Sequence, residues 1–202
     1  HNIKGSREAW IQKYLNMRYF EIPDYLSLKS RDGYFKEGTF NSLRNIYGMR
    51  GILKKYIQME GKVSLDDADV NWYVLKSDRD DHGRTYTAGH TAVIHEGEIF
   101  ELMAGHHKQP RFGIGWKNKD IVLHVHPKGN EYYQNISRNS LGYIGEEALP
   151  WDKWQKQFIS EDKFPDELRK FLDDSLQGDD SLNAKDLRKK LKKYIHLYKM
   201  SA

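Results

Sequence analysis

Hydrophobic positions recur at helical spacing early in the chain, at strand spacing in its middle, and at helical spacing again towards its end. In the first stretch Trp10, Ile11, Tyr14 and Leu15 keep to one side of a helix, with Ser6 as N-cap and Glu8 in the first turn. Pro23 and the turn Arg31-Asp32-Gly33 interrupt it. Thr39 then caps a second predicted helix, whose stripe of Leu43, Ile46, Tyr47, Leu53 and Ile57 is weakened by Gly48 and Gly51. From Gly61 the period changes. Residues 70–75 read as a largely buried strand, and residues 91–95 and 98–103 as two strands turned at Glu96-Gly97. Residues 121–126 form a further strand that ends at Pro127. Helix returns after Pro150, and Pro165-Asp166-Glu167 opens a segment that buries Phe164, Leu168, Phe171 and Leu172. A last helix carries Leu187, Leu191, Tyr194, Ile195 and Tyr198 on one side.

This order predicts an α+β fold, a central antiparallel sheet flanked by N- and C-terminal helices. At 202 residues the chain is long enough for one well-buried core and short for two ordinary domains. The expected organisation is a single domain with a helical part at 1–60, a β-rich core at 61–127 and helices at 150–202.

Composition narrows the chemistry. Hydrophobic residues are 38%, charged 31% and aromatic 13%, which suits a globular chain with a wet surface. No window offers the roughly 18 apolar residues of a membrane span. The first five residues lack the apolar run of an export signal, so such a signal is expected to be absent or removed. Cysteine is absent, which excludes disulfides, thiolate metal ligands and a cysteine nucleophile in this chain. The net charge of +4 suits an anionic partner without singling one out. Residues 161–180 carry eight acids and three bases, and residues 181–202 carry seven bases and one acid. A solvated face on a docked helix is the first reading of Lys189, Lys190, Lys192 and Lys193, and nucleic-acid contact the second.

Seven of the nine histidines fall between positions 82 and 126: His82, His90, His95, His106, His107, His124 and His126. Histidine exchanges protons near neutrality and, when neutral, binds metals. In Leu123-His124-Val125-His126-Pro127 the two imidazoles share one face of a strand and can address one metal ion, zinc being the natural choice. This run resembles the His-x-His-Pro core of JAMM-type zinc isopeptidases. The downstream stretch offers Ser137 and Ser140 but no aspartate. It also resembles the His-hydrophobic-His motif of rolling-circle endonucleases, with Tyr132 and Tyr133 following and Pro127 interrupting. His82, His106, His107 and Asp120 are further ligand candidates for such a metal-dependent hydrolase or nuclease.

A longer pattern runs from Gly61-Lys62-Val63-Ser64 through residues 69–75 to Gly89-His90-Thr91-Ala92-Val93-Ile94, the turn at Glu96-Gly97, and Ile99-Phe100-Glu101. It resembles the NlpC-type cell-wall cysteine peptidases of the papain-like class. The resemblance covers about residues 39–116 and implies a papain-like fold and hydrolysis of amide bonds in cell-wall peptides. It also implies an exported or periplasmic setting; without it a cytoplasmic one is expected. By the same resemblance His90 is the base, Glu101 (or His106) orients it, and the helix from Thr39 bears the nucleophile. The family's cysteine is missing, and Asn41 or Ser42 stands in its place, Ser42 being an engineered replacement in an inactivated form, a natural serine nucleophile or the mark of a non-catalytic relative. Ser42, His90 and Glu101 are therefore the expected catalytic group, with no cofactor. A non-catalytic binding module with a basic C-terminal helix is the remaining alternative.

Overall fold

The computed structural model describes residues 8–30, 43–80, 83–136, 140–145 and 148–177. Its centre is a five-stranded sheet built from β3 (Ile57–Ser64), β4 (Ala68–Leu75), β5 (His90–His95), β6 (Glu98–Ala104) and β7 (Ile121–Pro127), in the order β3-β4-β7-β5-β6. Two antiparallel hairpins, β3–β4 and β5–β6, flank β7, which runs antiparallel to β4 and parallel to β5. The α+β class holds, and the sheet departs from the expected antiparallel one by this single parallel pair. The β5–β6 turn is where the sequence puts it, with positive φ at both Glu96 and Gly97 (49° and 77°), as a two-residue hairpin requires.

Alternation sorts the sheet residues into two faces. Val70, Trp72, Val74, Val93, Leu123 and Val125 point to one side, where Trp154 and Phe158 of α4 (Trp151–Phe158) and Leu168 and Leu172 of α5 (Asp166–Gln177) complete a core. The opposite face presents Leu75, Ala92, Ile94 and Val122 to Phe20 and to Met49 and Leu53 of α2 (Gly48–Leu53). The small hairpin β8–β9 (Tyr132–Gln134, Leu141–Tyr143) adds Tyr132 and Leu141 to the first core.

The N-terminal region corrects the sequence reading. The helix expected from Thr39 is instead a two-residue strand β2 (Arg44–Asn45), paired with β1 (Lys29–Ser30), followed by the six-residue α2. Ile57, expected on its stripe, opens β3 opposite Leu75. Tyr47 is 59% exposed. Thr39 itself, Asn41 and Ser42 lie outside the described residues. In α1 (Glu8–Arg18) the buried positions are Gln12 and Asn16, while Ile11 and Tyr14 face solvent. The helix docks through hydrogen bonds: Asn16 Oδ1 accepts the backbone N–H groups of Tyr47 (3.0 Å) and Gly48 (3.1 Å), and Gln12 donates to the Asn45 carbonyl (3.2 Å). A buried face made of amides has no hydrophobic period to read. The predicted helix at 181–202 lies outside the described residues. Among the described residues no helix is long and apolar enough to cross a membrane.

Candidate functional site: a row of histidines on two paired strands

The second face of the sheet carries polar side chains at one end. Register places Asn71 of β4 and Ala92 of β5 on either side of His124 of β7, and Asp69 opposite His126. His90, two residues before Ala92, projects to the same face. The alternation Asp69, Asn71, Tyr73 against Val70, Trp72, Val74 is legible in the sequence, and it is the signal that would have added Asn71 and Tyr73 to the histidines.

His90 is anchored by its backbone. Gln109, fully buried, donates its amide both to the His90 carbonyl (3.3 Å) and to the Ile121 carbonyl (2.6 Å), tying the start of β5 to the start of β7. Gly89 precedes it because the chain passes the Asn118 carbonyl so closely that a Cβ there would overlap the oxygen. The Gly89 N–H is spent on the Lys119 carbonyl (2.7 Å).

Hydrogen bonding fixes the protons. His90 Nδ1 lies 2.8 Å from the Ala88 carbonyl oxygen, which can only accept, so His90 carries its proton on Nδ1. Burial pushes the His90 pKa down to about 4, with a smaller upward pull from the Ala88 bond, so near neutrality the ring holds one proton and its Nε2 is an acceptor. His124 Nε2 sits 2.9 Å from that atom and donates to it. The His124 proton is thereby on Nε2, and its Nδ1 is a lone pair, buried and without a hydrogen-bond partner among the described residues. Burial, then the neighbouring rings of His90 and His126, lower the His124 pKa well below the ordinary value. His126 has the other tautomer: Asn71 donates to its Nε2 (3.1 Å), which leaves the proton on Nδ1. Its pKa is lowered by burial first; Asp69 raises it, and Lys62 and Arg50 lower it.

Aromatic edges close the row. Phe20 packs edge-on against both His124 and His126, with centroids at 5.4 and 5.5 Å, and Tyr73 meets His124 at 5.4 Å. Tyr86 meets His90 at 5.4 Å. His90 and His124 are 0% and 1% exposed, and His126 is half-buried at the open end. Around that end stand Lys62, which pairs with Asp69 (2.7 Å), and Arg50, which pairs with Glu21 (3.1 Å). Asp69 is pushed up by burial, but hydrogen bonds from Lys128, Lys62 and Ser64 outweigh this and hold it well below the usual carboxylate range. Burial and Glu60 raise Tyr73, against Arg50 and Asn71.

The other expected site residues lie apart from this row. Glu101, at φ 48°, accepts from Trp151 Nε1 (2.8 Å), so the group that orients His90 is the Ala88 carbonyl and not Glu101. His106 and His107 stack on each other on the exposed α3 (Gly105–Lys108). Asp120 pairs with Arg79 at 2.9 Å. Tyr132 packs on Tyr143 and Trp154 in the opposite core. Ser42, His82 and Ser137 lie outside the described residues. The His90 and His124 nitrogens converge, yet among the described residues no three or more histidine, aspartate or glutamate side chains are grouped to hold a metal ion.

Comparison with protein-family models, with curated proteins and with solved structures gives no match to this chain.

Proposed function

We propose that the chain is a hydrolase that works by proton transfer at His124 and His126, with a phosphodiester as its substrate class. The observation that carries this reading is the opposite tautomers of two imidazoles two residues apart on one strand face. His124 offers a bare lone pair at Nδ1, and His126 an N–H at Nδ1. In the hydrolytic step His124 Nδ1 takes a proton from water as the oxygen bonds to phosphorus. The bond to the leaving oxygen breaks, and the same proton passes to that oxygen. His126 N–H, Arg50 and Lys62 face the anionic phosphoryl oxygens. The exposed Arg50–Glu21 ion pair costs little to exchange for a substrate anion, and Lys62 is itself exposed beside Asp69. Phe20 covers both rings, so substrate entry displaces it.

A second reading is amide hydrolysis of cell-wall peptide with Ser42 as nucleophile and His90 as base. It draws support from His90 opening β5 with Nδ1 held on a carbonyl, and it requires His90 Nε2 to exchange His124 for the nucleophile.

The deciding experiment assays the purified chain on RNA, on a bis-aryl phosphodiester and on cell-wall peptide amides. Hydrolysis of the phosphodiesters, reduced about 100-fold or more in His124→Ala, is the expected result. Undiminished turnover in that variant, or cleavage of the peptide amides alone, overturns it; the latter supports the second reading.

A further inference from the structure

We propose that His90 is a positioning residue that holds the His124 proton on Nε2 and takes up the charge formed there, making the two rings a one-proton relay open at His124 Nδ1. The proposal rests on the hydrolase reading above and assigns the residue that makes its base.

The geometry runs in one direction. The Ala88 carbonyl accepts from His90 Nδ1 at 2.8 Å, His90 Nε2 accepts from His124 Nε2 at 2.9 Å, and His124 Nδ1 ends the chain with no partner among the described residues. Reversing either ring would point two N–H groups, or two lone pairs, at each other. A proton that enters at His124 Nδ1 is matched by movement of the Nε2 proton to His90 Nε2. Two N–H bonds form, one breaks, and the positive charge comes to rest on His90, whose Nδ1–H already meets a carbonyl dipole. Such a chain polarises along its length, in a setting with little water to compete.

Rings and an amide face the pair, and the charged groups stand further off. His124 meets His126 on its own strand, Asn71 and Tyr73 on β4, and Phe20 just after α1. His90 meets Tyr86, over whose ring lies the Lys13 ammonium at 5.8 Å. The carboxylates near the row are at its open end: Asp69, held by Lys62 and Lys128, and Glu60 beside Tyr73. Hence none of the charged groups named here is an anion set against the buried pair itself, and a proton taken up there is met by the Ala88 carbonyl dipole and by no carboxylate.

The test is nitrogen NMR of histidine-labelled protein at about pH 7.5. The expected spectrum has His90 protonated on Nδ1, His124 on Nε2, and a scalar coupling between the two Nε2 atoms. His90→Gln, whose side-chain oxygen can accept, should keep the His124 tautomer, with kcat down about tenfold and KM unchanged. His90→Leu should release His124 into mixed tautomers. A wild-type His124 protonated on Nδ1 overturns the proposal, as does a His124 tautomer unmoved in His90→Leu. Should His90→Leu fail to fold, the wild-type spectrum decides alone. Absent phosphodiester hydrolysis with the expected tautomers removes the hydrolase reading and leaves the relay assignment supported, so the two failures are distinct.

Discussion

The Nε2 atoms of His90 and His124 face each other across 2.9 Å, from the paired parallel strands β5 and β7, with almost no solvent exposure. Both rings are neutral there because burial lowers their pKa from the ordinary 6.5, to about 4 for His90 and well below the ordinary value for His124.

This has a signed consequence for stability. Above about 6.5 the rings are neutral folded and unfolded, and stability is complete. As pH falls from about 6.5 towards about 4, the unfolded rings take up protons that the folded rings refuse. Stability then falls with pH, the slope steepening as the unfolded rings fill with protons. Asp69 does not confuse the window, because its own loss begins only around and below the usual carboxylate value of 3.8. Urea midpoints at about pH 7.5, 6.5 and 5.5 measure the slope, and His124→Gln should reduce it, leaving the part that His90 and the half-buried His126 contribute. A midpoint flat across this range would show that the pair is not neutral and buried.

Gln109 should matter more than its distance from the rings implies. Gln109→Ala leaves two buried carbonyls without that donor, at a cost of about 1–3 kcal/mol, and frees the starts of β5 and β7 to shift. Amide hydrogen exchange should quicken at residues 90–92 and 121–123 before it does in β3. Uniform exchange would mean that the side chain is not the tie.

Glu101 should be a structural residue. Its carboxylate accepts from Trp151 and its backbone sits at φ 48°. Glu101→Ala is expected to lower stability by about 1–3 kcal/mol, since it strips a charged acceptor from the indole N–H. The His90 nitrogen signals and any hydrolytic activity should stay unchanged. A His90 tautomer that moves with this substitution would restore Glu101 as the orienting group.

The sequence reveals some of this fold and hides the rest for physical reasons. Glu96-Gly97 and Pro165-Asp166-Glu167 are legible because a hairpin turn and a helix start are set by a few adjacent residues. The stripe from Leu43 to Ile57 misleads because spacing alone does not know that Ile57 has a strand partner in Leu75. Asn16 and Gln12 are invisible as packing residues, since their contribution is made through hydrogen bonds to a segment some thirty residues away. The density of histidines points to the segment that holds the candidate site. Which of them meet depends on the β5–β7 pairing, and only that pairing brings His90 rather than His106 to His124.

The strand order also dictates when the site can exist during folding. Each flanking hairpin closes over a short stretch of chain, β3 with β4 and β5 with β6, and such local contacts are the quick ones to form. β7 is made last and must slot between two finished hairpins, pairing with β4 on one side and β5 on the other. It carries His124 and His126, while Asn71 waits on one hairpin and His90 on the other. The histidine row is therefore the seam of the molecule, joined in the same event that unites the sheet, and a chain halted before Ile121 would hold both halves of the site without either of its bonds.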